Sequence, residues 1–73
     1  MRTYIVKMIW DNDYWHTNTD SDLGITLTSS SFDKLVERVR LAVPEMLELN
    51  CGYVGDVELI FETERKETLR TSA

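Results

Sequence analysis

The residues best suited to chemistry are four aspartates, Asp11, Asp13, Asp20 and Asp22, with the one histidine of the chain, His16, between them. Carboxylates gathered from two turns could hold a divalent cation, and an imidazole beside it could move a proton. That chemistry would make the chain a metal-dependent enzyme or a small-ligand binder using its Asp-rich turns. The spacing opposes it. A helix-loop-helix calcium site needs regularly alternating ligands, a glycine at the sharp turn and a distant bidentate Glu, whereas Tyr14-Trp15 interrupts the run here. The aspartate pairs also flank opposite ends of a strand, where a rise of about 3.3 Å per residue keeps them too far apart to share one ion. Turn-forming aspartates and a solvated histidine are the simpler expectation.

Cys51 is the only cysteine, so no disulfide can form within the chain and a reducing cytoplasm is its natural setting. A thiolate nucleophile wants a nearby base and a helix N-terminus. Cys51 instead falls where a helix is expected to end, and His16 is remote in sequence. No catalytic group, metal ligand set or cofactor motif is expected, and the chain reads as a non-enzyme.

The elements that would position these residues follow from patterning. Residues 3–10 are rich in Tyr, Ile, Val and Trp, with Tyr4, Val6, Met8 and Trp10 on one face and Ile5, Lys7 and Ile9 on the other. Asp11-Asn12-Asp13 makes a tight turn, and residues 14–19 form a more polar second strand. Asp20 to Gly24 is a second turn cluster, after which residues 25–28 predict a short third strand. Ser30 with Asp33 has the spacing of a capping box, placing a helix start near Ser31.

Phe32, Leu35, Val36, Val39, Val43, Met46 and Leu47 then line one helical face. Pro44 lies within that stripe and cannot donate to the carbonyl four residues back, so a kink or a break is expected there. Gly52 suits the left-handed position after the last turn. Residues 56–62 alternate Val57, Leu59 and Phe61 against Glu58, Ile60 and Glu62, the pattern of a strand buried on one face. The expected class is α+β: a three-stranded antiparallel meander, one helix kinked or broken at Pro44, then a fourth strand. Residues 1–62 would form the domain and residues 63–73 a charged, frayed tail.

Seventy-three residues with a 42% hydrophobic and 29% charged composition suffice for one small domain of marginal stability. Self-association as a homodimer, or a protein partner, is therefore expected. The formal net charge of -5, with eight scattered basic residues, argues against direct nucleic-acid binding and favours a basic partner. No apolar run approaches a membrane span or a signal-peptide core. The first strand carries more apolar surface than one helix can cover, which nominates Tyr4, Val6, Met8, Trp10 and Trp15 as a candidate protein interface.

Taken together, YIVKMIWD, YWHT, the acidic turn leading into Gly24, SFDKLVERV, VPEMLELN and VELIF resemble HicB-like antitoxin domains, most closely a short stand-alone branch known as a domain of unknown function. The resemblance covers residues 3–62. It implies a partial ribonuclease-H-like fold, a bacterial cytoplasmic setting and neutralisation of a small basic HicA-like ribonuclease toxin by binding. Leu23 stands where the family commonly has proline, and the first hairpin turn is shorter than usual. Full antitoxins also carry a DNA-binding segment after the last strand, where only a dozen charged and polar residues follow here, so operator binding does not carry over. Nuclease chemistry does not follow from the shape either, because Asp56, Glu58 and Glu62 have no acidic partner on the first strand.

Overall fold

The computed structural model describes residues 1–65 and 67–72. Its elements run β1 (Arg2–Asp11), β2 (Tyr14–Asn18), β3 (Thr28–Ser29), α1 (Phe32–Cys51) and β4 (Val57–Arg65). The α+β class expected from patterning is present, as one helix on a four-stranded mixed sheet of order β3-β2-β1-β4. β1 pairs antiparallel with β2, while β4 crosses over by way of α1 to lie parallel to β1 on its other side. β3 pairs antiparallel with β2, so β1, β2 and β3 lie side by side in chain order, and the parallel β4 makes the sheet mixed. β1 is its centre, and β4 forms one complete edge.

The first hairpin is as tight as the sequence suggests. Asp11 pairs with Tyr14, leaving only Asn12 and Asp13 in the turn, and Asn12 takes a left-handed conformation at φ 59°. The third strand is shorter than expected, for a reason found in side chains. Thr17 Oγ1 donates to Ile25 O at 3.2 Å and accepts from Leu27 N–H at 3.0 Å, and Thr19 Oγ1 accepts from Ile25 N–H at 3.0 Å. Hydroxyls replace much of the backbone ladder along residues 25–27. Regular pairing begins only at Thr28 and Ser29, opposite His16 and Trp15.

Ser31, not Ser30, caps α1. Its extended backbone and a side-chain oxygen accepting from Lys34 N–H at 3.3 Å satisfy one of the helix's orphan donors. The helix then runs without a break through Pro44, which corrects the alternative of an interrupted helix. At the other end Gly52 is left-handed at φ 62°, its N–H reaching Glu48 O while Tyr53 N–H reaches Leu47 O. The first of these is the 5→1 bond of a left-handed helix ending, which glycine adopts without a Cβ penalty.

Leu35, Val39, Val43 and Leu47 of α1 bury against Tyr4, Val6 and Met8 of β1, with Leu23 and Ile25 closing the β2 side of the core. Trp15 stands edge-on to Trp10 at 5.3 Å and to Phe32 at 5.0 Å, so aromatic contacts continue the core toward the hairpin end. β4 continues through Arg65, which pairs with Trp10, so regular structure extends three residues past the expected boundary at 62. Lys66 and Ala73, within the expected frayed tail, lie outside the described residues.

Candidate functional site

The aspartates do not converge. Asp11 and Asp13 border the hairpin turn before β2, and Asp20 and Asp22 follow its far end. Asp20 Oδ1 accepts from the N–H groups of Asp22 and Leu23 at 3.1 and 3.3 Å, while its own carbonyl accepts from Gly24 N–H at 2.9 Å. This is a side-chain-closed turn with Gly24 left-handed at φ 57°. Among the described residues, no group of three or more His, Cys, Asp or Glu side chains is arranged to hold a metal ion. His16 lies half-buried in the middle of the sheet opposite Ile9, whereas Cys51 ends α1.

A polar cluster joins the start of β1 to the end of the helix. The Arg2 guanidinium donates to Tyr4 Oη at 3.1 Å, and Tyr4 Oη donates to Asp22 Oδ2 at 3.3 Å. Asn50 Nδ2 donates to Asp22 O at 3.0 Å, and the Arg2 guanidinium lies over the Tyr53 ring at 4.5 Å. The hydrogen bond to Tyr4 raises the Arg2 pKa above its ordinary value. Deprotonation, which would remove that preference as pH rises through the folded value, therefore moves still further above neutrality. The cluster ties the acidic turn to β1 and α1. Its role is to hold elements together.

The candidate interface needs correction. Tyr4, Val6 and Met8 point under α1 and are buried, so they are core and offer no surface to a partner. Trp10 and Trp15 share that inner face and remain partly exposed at its hairpin end. The register then places Ile5 beside Ile60 on the outer face, where they are 47% and 44% exposed. Lys7 beside Glu62 and Thr3 beside Glu58 share that face.

The least finished part of the molecule is the flank along β4. Val57, Leu59 and Phe61 turn toward the helix side but are only partly buried, in contrast to Tyr4 and Val6, the β1 neighbours of Leu59 and Phe61. A groove of about 360 Å³ separates β4 from α1, walled by Val43, Pro44 and Leu47 on the helix and by Val57 and Leu59 on the strand. Tyr53 and Gly55 close one end of it, with Tyr53 Oη donating to Asp56 O at 2.7 Å. Among the described residues, no strand pairs with the outer side of β4. The alternation of Val57, Leu59 and Phe61 was readable from sequence. That this strand ends the sheet was not.

Fold and surface together define a small α+β domain with a closed core and one open flank. The chain belongs to the family described as Domain of unknown function (DUF1902), whose match spans residues 3–73. It is also similar in structure to the hypothetical protein TTHA1013 from the extremely thermophilic bacterium Thermus thermophilus. The two share 28% sequence identity and a TM-score of 0.75, over 93% of this chain and 100% of that one. No curated protein matches.

Proposed function

We propose that this chain is a cytoplasmic, non-enzymatic protein-binding module of the HicB-like antitoxin type, neutralising a small basic ribonuclease toxin. The open β4 flank carries the reading. A strand edge with which no strand pairs among the described residues, beside an apolar groove, is a surface that another chain can complete, and the net charge of -5 favours a basic one.

Co-expression with the product of the adjacent gene tests the proposal. The expected result is a stable complex with a small basic protein whose ribonuclease activity falls when this chain is added. An adjacent product that is not basic, or one that neither binds nor is inhibited, rejects the antitoxin reading. A homodimer is a second reading, favoured by the exposed Ile5 and Ile60 on the outer face. Light scattering decides it, since a solution mass of 8.5 kDa, that of the single chain, removes the dimer.

A further inference from the structure

The β4 flank combines three features. Its backbone edge spans the nine residues Val57–Arg65. Its helix-side face is apolar and opens into the groove, while its outer face carries Glu58, Ile60 and Glu62. We propose that this edge accepts an extended segment of a partner protein as a fifth strand, and that the segment alternates apolar with basic residues. The inference rests on the protein-binding reading and adds the place, the backbone geometry and the side-chain code of the partner.

The code follows from strand periodicity. Every second side chain of an added strand turns to the helix side, where Val57, Leu59 and Phe61 are only partly covered and Pro44 stands exposed at the groove wall. The intervening side chains lie beside Glu58 and Glu62. Basic residues there meet opposite charge, and acidic ones meet like charge.

The same row of carboxylates argues against a second copy of this chain as the occupant. A two-fold antiparallel pairing of β4 centred on Ile60 sets Glu58 opposite Glu62, and one centred on Phe61 sets Glu58 opposite Glu64. Centring on Glu62 opposes that residue to itself, and centring on Leu59 brings Asp56 against Glu62. Each arrangement places carboxylates face to face. Charges on a strand edge also serve simply to prevent aggregation, and a protective role of that kind predicts no uptake of any strand.

Two synthetic seven-residue peptides, one alternating Lys and Val and the other Glu and Val, separate these outcomes. Each is titrated to millimolar concentration into the full chain while backbone amide resonances are followed by NMR. The Lys–Val peptide is expected to shift the amides of residues 57–65 and slow their hydrogen exchange, and the Glu–Val peptide to leave them unchanged. In the Glu58→Lys, Glu62→Lys variant, whose altered side chains are exposed, the preference reverses and affinity for the Lys–Val peptide falls by about tenfold or more.

Absence of β4 shifts with the Lys–Val peptide, shifts confined to another surface, or equal affinity in wild type and variant would each overturn the proposal. The same double variant in the co-expression experiment distinguishes the two readings. A toxin-like partner still held by the variant leaves the binding-module reading standing and removes the strand-addition mode. A wild-type chain that holds no partner removes the former whatever the peptides do.

Discussion

The two edges of the sheet solve the problem of unpaired backbone in opposite ways. At β3 the regular edge is only Thr28–Ser29, the preceding residues are stitched to β2 through the hydroxyls of Thr17 and Thr19, and Arg38 Nη1 reaches over from α1 to donate to Thr28 O at 2.7 Å. At β4 the edge is nine residues long, and its apolar side chains are only partly covered. Short, side-chain-bonded edges are a recognised protection against unwanted pairing. The asymmetry separates an edge built for stability from one that leaves stability unclaimed.

The largest expected effect tests that separation in the core. Leu23 is fully buried in the turn that follows β2, whereas Leu59 is partly exposed on the β4 flank. Leu23→Ala should cost about 2–5 kcal/mol, enough to unfold much of so small a domain at room temperature. Leu59→Ala should cost about 1 kcal/mol in the free chain. Urea denaturation followed by tryptophan fluorescence compares them, and equal losses would mean that the two flanks are equally closed.

Next in size is Thr17→Val. It keeps the shape but removes the hydroxyl that serves Ile25 O and Leu27 N–H in a buried setting. A stability loss of about 1–3 kcal/mol is expected, with accelerated hydrogen exchange at the Leu27 amide and a smaller loss for Thr17→Ser. An unchanged Leu27 amide would show that the stitching does not hold the β3 edge.

Pro44→Ala moves the other flank in the opposite direction. Pro44 forms part of the groove wall and withholds the hydrogen bond that an ordinary residue would donate to Arg40 O. The alanine variant should be about 1–2 kcal/mol more stable, and a higher urea midpoint checks it. A lower midpoint would mean that the proline ring packs usefully on this flank.

This contrast also explains what was legible in the residues. The three- and four-residue spacing from Phe32 to Leu47, the Gly52 stop and the tight first turn rest on local physics, and each is present in the structure. The position of β4 depends on a crossover that joins residues more than fifty apart, as Tyr4 with Leu59, and no local pattern specifies which strand receives it. Reading Tyr4, Val6 and Met8 as interface failed for the same reason. Both faces of β1 are rich in apolar residues, and only the placement of α1 decides which of them is core. Thr17 looked like an ordinary polar strand residue because its value lies in bonds to a segment ten residues away.

The smallest effect belongs to Glu37, which pairs with Arg40 at 2.9 Å, both side chains being about two-thirds exposed, at 66% and 63%. Solvent screening and side-chain entropy leave such a pair worth little, so Glu37→Ala should change stability by less than about 0.5 kcal/mol. Arg40 also lines the β4 groove, however, and loses its carboxylate neighbour in this variant. A cation released there should weaken a basic partner's approach, lowering its association rate mainly at low salt, as charges at an interface rim do. Stopped-flow mixing with the co-expressed partner at two ionic strengths measures it. If the open flank is the binding surface, a nearly neutral mutation for folding becomes a kinetic one for association; a rate unchanged at both salt concentrations would place the partner away from this groove.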